Sequence, residues 1–90
     1  MCQKLFLKLY VSGNTIRSQK AINNLKTFCQ KELIKESVIT VIDITKNPEI
    51  AEEKKILITP TLVRELPLPQ ERVIGDLSDA KVLALILNTN

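Results

Sequence analysis

The chain has no histidine and no tryptophan among its 90 residues. Without an imidazole, every Ser-His and Cys-His scheme of nucleophilic catalysis is excluded. Zinc loses its commonest ligand, and the two cysteines, Cys2 and Cys29, are not at ligand spacing. Glu52-Glu53 beside Lys54-Lys55 reads as a solvated helix face and not as a cation site. Glycine occurs only at Gly13 and Gly75, each isolated at a turn, so no Gly-rich loop can cradle a phosphate. Aromatics stop at Phe6, Tyr10 and Phe28. That is too few for base stacking, and no run of basic residues exists, so no nucleic-acid partner is expected. The expectation is a protein with no metal and no cofactor.

Other absences bear on location. Met1-Cys2-Gln3-Lys4 leads straight into a strand-like run and lacks the pattern of a signal peptide. The longest apolar stretch is too short to span a bilayer. Two distant cysteines are not a disulfide framework. These features point to a cytoplasmic protein with no membrane partner.

What is present is a globular balance, 44% hydrophobic and 26% charged, with a mild net charge of +3. The core must be built from Ile, Leu and Val, and one small domain of this kind retains only about 5 kcal/mol of net stability. Self-association or a partner is therefore plausible.

Along the chain, Leu5 to Val11 is a nearly continuous apolar strand, as expected of one covered on both faces. Asn14 or Thr15 caps a helix from about Ile16 to Glu36, with Ile22, Leu25, Phe28, Cys29 and Leu33 on one face. Val38 to Ile44 is a second strand, apolar and β-branched, and is expected to be buried; the strand–helix–strand unit implies parallel pairing. Asn47 caps a short helix from Pro48 to about Lys55. Leu62 to Leu66 and Arg72 to Gly75 form a hairpin across the rigid turn Pro67-Leu68-Pro69-Gln70. Ser78 caps a last helix, with Asp79 in its first turn, running from Ala80 to Asn88. The order βαβαββα is the minimal thioredoxin arrangement: α/β, a mixed four-stranded sheet with helices on both faces. Thr59-Pro60-Thr61 falls where thioredoxin-like proteins carry a cis proline, which makes Pro60, with Gly13 and Gly75, a structural position.

That fold invites a redox reading, which needs a cysteine at the start of the first helix. Asn14-Thr15-Ile16-Arg17 stands there instead. Cys29, mid-helix, reads as core packing and Cys2 as a frayed terminal thiol. Asp43, alone at the end of the second strand, reads as a solvated strand end or cap. No catalytic residue, and no enzyme, is expected.

Several stretches together resemble the KaiB family, small partner proteins of the cyanobacterial circadian oscillator. They are Leu7 to Thr15, Val41 to Ile44 with Lys46-Asn47-Pro48, Ala51-Glu52-Glu53, Lys55-Ile56-Leu57, Thr59 to Leu62, Leu66 to Pro69 and Arg72 to Ser78. The resemblance implies one of two folds, the thioredoxin-like one or a βαββααβ tetramer. Where the family carries a Gly in its last apolar segment, this chain has Leu85-Ile86-Leu87. Gly disfavours helix by about 1 kcal/mol, so the chain is expected to rest in the thioredoxin-like form with a helical C-terminus. The resemblance also implies docking on a KaiC-like ATPase through basic side chains at Lys20, Lys55 and Arg72. The setting would be circadian timing or a clock-derived stress response. A sensor histidine kinase or another clock-type protein, and a homodimer or tetramer, are the further partners it suggests. The alternative is a divergent thioredoxin-like redox protein, which would need a thiol of depressed pKa.

Overall fold

A computed structural model of the chain describes residues 4–31 and 36–87. Its elements run β1 (Leu5–Val11), α1 (Ile16–Lys31), β2 (Ser37–Asp43), α2 (Pro48–Glu53), β3 (Thr61–Leu66), β4 (Glu71–Ile74) and α3 (Ala80–Leu87). The sheet order is β2-β1-β3-β4. β1 pairs in parallel with β2 and antiparallel with β3, and β4 closes the hairpin. This is the expected thioredoxin-like βαβαββα fold, and the last segment is the helix that distinguishes it from the βαββααβ arrangement. Glu36 lies outside α1, and Leu33, Asn88 and Cys2 fall outside the described residues.

Alternation along β1 sends Leu5, Leu7, Leu9 and Val11 to one face of the sheet. There they bury against Ala21, Leu25 and Cys29 of α1 and against Leu83, Ile86 and Leu87 of α3. Tyr10 points to the other face, into a smaller cluster with Val63, Ile56, Ile50 and Ile42 under α2. The short α2 covers only part of that face. Phe6 and Lys8, further back along β1, stay half-buried. β3 skips Glu65 in its pairing with β1, and the Glu65 carboxylate meets Lys8 Nζ at 3.2 Å.

Three expectations need correction. β2 is not buried: the crossover carries it to the edge of the sheet, where Val38, Thr40 and Val41 are exposed. Asn47 does not cap α2 with its side chain; its amide turns back to donate to the Asp43 carbonyl, while Pro48 does take the first helical turn. Asp79, not Ser78, caps α3: its Oδ1 accepts from the amides of Lys81 at 3.0 Å and Val82 at 3.4 Å.

One core side chain breaks the apolar pattern. Arg64 lies opposite Leu7, on the α1/α3 face, and is only 7% exposed. Its guanidinium donates to the carbonyl of Ile86 at 2.6 Å and to that of Pro69 at 2.6 Å. Ile86 is in the last turn of α3, where carbonyls lack intrahelical partners and the helix dipole is negative. Guanidinium is the cation best suited to such burial, being planar and weakly hydrated. One side chain thus ties the sheet, the 67–70 turn and the end of α3 together. Arg64→Met keeps the apolar volume but strands both carbonyls. It is expected to lower unfolding free energy by about 3 kcal/mol in urea titrations. Arg64→Lys, which cannot serve both acceptors, should fall between it and the parent.

Candidate functional site

The first candidate is the loop cluster where β1 and β2 end and α1 begins. Thr15 caps α1: its Oγ1 accepts from the Ser18 amide at 3.3 Å and donates to Ser18 Oγ at 2.8 Å. The buried Ser18 Oγ in turn accepts from the Ser12 amide at 3.1 Å. The Ser12 hydroxyl is hydrogen-bonded to that of Thr59, which precedes Pro60. The Thr59–Pro60 peptide is cis, as are Leu66–Pro67 and Leu68–Pro69. Gly13 has φ +56°, and a Cβ built on it would meet nothing closer than 3.9 Å, so conformation and not space calls for glycine there. Its amide donates to Asp43 Oδ1 at 3.0 Å. Asp43 is therefore no lone strand end: Thr45 adds a hydroxyl and an amide donor to the same oxygen. The Thr45 hydroxyl first, then the Thr45 and Gly13 amides, hold the Asp43 carboxyl below the usual aspartate range.

In this cluster every functional group named serves another group of the protein. Hydroxyls occupy the place that a redox protein gives to cysteines. Cys29 sits 7% exposed in the core, and burial pushes its thiol pKa up, against a smaller opposing effect of Ser37. A protonated, enclosed thiol is a poor nucleophile. Among the described residues no three His, Cys, Asp or Glu side chains lie close enough to share a metal ion, and no helix is long and apolar enough to cross a membrane.

The second candidate is built at the other end of α2. Lys54 ends the helix, and Lys55 follows in a left-handed conformation with φ 55°. The Lys55 amide donates to the Glu52 carbonyl at 3.2 Å and the Ile56 amide to the Ala51 carbonyl at 2.8 Å. This pair of bonds is a Schellman motif, closed by the apolar packing of Ile56 against Ile50 and Ala51. The position usually held by glycine is held here by a lysine. β4 supplies the rest. Arg72 lies opposite Val63, which directs it to the α2 side. Its guanidinium donates to the Lys55 carbonyl at 3.2 Å and to the Lys54 carbonyl. Lys54, Lys55 and Arg72 thus form one exposed basic corner, and exposed Leu57 and Ile58 follow it in the chain. Lys20 is not part of this corner. It is exposed on α1, across the sheet, and with Arg17 it helps to lower the Asp76 pKa, for which the Ser78 hydrogen bonds are the larger cause. Lys54 and the Arg72 clamp were not singled out by sequence; only the double lysine next to a helix end hinted at them. Gly75 has φ +126°, and its amide donates to the Pro60 carbonyl at 2.9 Å. Such a corner can hold an acidic surface with an apolar rim.

A family described as the KaiB domain matches residues 8–89. The chain belongs to the KaiB family. It is 50% identical over 82 residues to the circadian clock oscillator protein KaiB of Synechococcus elongatus, covering 91% of this chain and 80% of that one. It is 42% identical over 85 residues to the circadian clock protein KaiB3 of a Synechocystis strain, covering 94% and 83%. Among solved structures, the N-terminal domain of Synechococcus elongatus SasA superposes with a TM-score of 0.79 at 26% identity, over 100% of this chain and 89% of that one. The Drosophila melanogaster thioredoxin Deadhead superposes at 0.74 with 20% identity, over 94% and 79%, a likeness of fold alone.

Two outcomes test this account of the KaiB-family chain. Cys29 should resist iodoacetamide at neutral pH in the native state and be alkylated only as fast as the protein unfolds, read by mass of the Cys29 peptide. Asp43 has a folded pKa below its unfolded value of about 3.9, so its contribution is complete above that pH and is lost as pH falls through the folded value. The urea midpoint of the parent should therefore drop below about pH 4, and that of Asp43→Asn should start lower and change less over the same window.

Proposed function

We propose that this KaiB-family chain is a non-catalytic regulatory protein that docks on a KaiC-like ATPase, in circadian timing or in a stress-response system derived from it. The observation that carries the reading is the basic corner, in which Arg72 of the β4 edge is clamped on the carbonyls of Lys54 and Lys55. Three cations from two distant parts of the chain, Lys54 and Lys55 after α2 and Arg72 on β4, are thereby brought to one corner, with exposed Leu57 and Ile58 next in sequence. The named relatives, clock proteins of Synechocystis and Synechococcus, support the setting. The likeness to the SasA N-terminal domain supports a clock-type protein or a sensor kinase as a further partner of the same system. Lys20 completes the proposed set of partner-binding cations. A partner would reach it around the C-terminal end of β4, where Asp76 neighbours it.

Lys55 offers a test that separates charge from backbone. Lys55→Gly suits the left-handed φ and removes the ammonium, so stability should stay within about 1 kcal/mol of the parent. Affinity for a purified KaiC-like ATPase with ATP, measured by surface plasmon resonance, should fall about tenfold, equivalent to about 1.4 kcal/mol. Lys55→Glu should fall further. Unchanged binding in both variants would remove the corner from the interface.

A further inference from the structure

Arg64 has a donor to spare. Its two terminal nitrogens are bound to the carbonyls of Ile86 and Pro69, each at 2.6 Å. Its Nε is buried and has no partner, the one such side-chain atom among the described residues. Backbone carbonyls thus satisfy the cation only in part, and no carboxylate neutralises it there.

The strand register supplies a carboxylate. β3 and β4 set Glu71 directly opposite Arg64, on the same face of the sheet. Residues opposed in this way have Cβ atoms about 5 Å apart, and opposite charges there attract. Glu71 is nevertheless exposed and in no ion pair among the described residues. A cation and an anion stand face to face, and the guanidinium is turned to the end of α3 instead.

α3 is the element that can leave. It is eight residues long, below the length of about 12 at which a helix begins to hold by itself in water. It persists through Leu83, Ile86 and Leu87, packed over Leu7, Leu9 and Leu62, and through the bond from Arg64 to its last turn. No strand pairing runs through it, so it can lift while the order β2-β1-β3-β4 stays intact. Lifting removes the Ile86 carbonyl from Arg64 and lets water onto that face. The freed guanidinium then has Glu71 opposite it, and a carboxylate is the acceptor that a guanidinium binds side-on, through Nε and one terminal nitrogen.

We propose that Arg64 is a two-position latch on α3. In the closed position it holds the carbonyls of Ile86 and Pro69. In the open position α3 has left the sheet, the four strands keep their pairing, and Arg64 is paired with Glu71. That ion pair exists only in the open position, so Glu71 sets how often the helix lifts and not how readily the sheet unfolds. The latch lies on the opposite face of the sheet from the basic corner and stands or falls independently of it.

The experiment is native-state amide hydrogen exchange, read by NMR, on the full chain, on Glu71→Gln, and on Arg64→Met with and without Glu71→Gln. Glu71 is exposed, so Glu71→Gln should fold, checked by its circular dichroism melt. In the parent, the amides of Ala84 to Leu87 should exchange faster than those of Leu7 and Leu9. Glu71→Gln should slow the α3 amides about threefold, because the open form loses its ion pair. Leu7 and Leu9 should be unchanged, because Glu71 is unpaired in the closed form. With Arg64→Met no cation remains, and adding Glu71→Gln should leave α3 exchange as it was. The proposal is overturned by α3 amides that exchange in step with Leu7 and Leu9 in the parent. It is overturned equally by α3 exchange that Glu71→Gln fails to slow, or by a slowing that persists beside Arg64→Met. Should Arg64→Met not fold, the parent and Glu71→Gln decide between them.

Discussion

The fold depends on β1 being satisfied in four directions at once. Its two backbone edges are taken by β2 and β3, one face packs under α1 and α3, and the tip of the other packs under α2. A seven-residue segment with Leu5, Leu7 and Leu9 at alternate positions, followed by Tyr10 and Val11, meets all four demands. The rest of the chain is arranged by what β1 leaves over. β2 receives a parallel partner but no layer on its outer side, and the half-covered face keeps Phe6 and Lys8 near water. Among the described residues Arg64 is the one ion on the buried face, and there it donates to the Ile86 carbonyl in the last turn of α3.

Much of this was legible in the residues. Apolar runs bounded by turn residues located every strand, and element order then specified the sheet. What was not legible depended on contacts distant in sequence. β2 read as buried because a β-branched apolar run has the same composition in the middle of a sheet as at its edge; only the placement of the crossover decides. The caps at Asn47 and Ser78 were misassigned because acceptor side chains stand side by side near each helix start. The Asn47 side chain instead donates to the Asp43 carbonyl at the end of β2, and Asp79 stands directly before the first residue of α3. Arg64 could have been found, since period-two alternation places it with Leu62 on the core face. The site was less legible than the fold. Lys55 and Arg72 came from family resemblance, and their meeting follows from a helix-end motif and a strand register that no local pattern encodes. Lys20 came from the same resemblance and lies across the sheet.

The loop cluster around Pro60 is held together by hydroxyls, a carboxylate and backbone amides. The Thr59–Pro60 peptide is cis, and the loop before α1 reaches it through the hydrogen bond between the Ser12 and Thr59 hydroxyls. Hydroxyls and the Asp43 carboxylate bond one another and the backbone there, so the loops are locked with no reactive group between them. In the KaiB-family chain this loop cluster is thus held by its own hydrogen bonds, and the docking proposed above lies away from it.

The lysine in the left-handed turn has a consequence for association. A non-glycine residue there costs the native state about 1 kcal/mol of backbone strain. In return the direction of its Cα–Cβ bond is held by the two bonds of the helix end and by the Arg72 clamp. A partner that captures this ammonium has to freeze only the side-chain torsions, because the loop beneath is already ordered. For the docking proposed above, the entropy that a mobile loop would lose on complex formation has already been lost in folding.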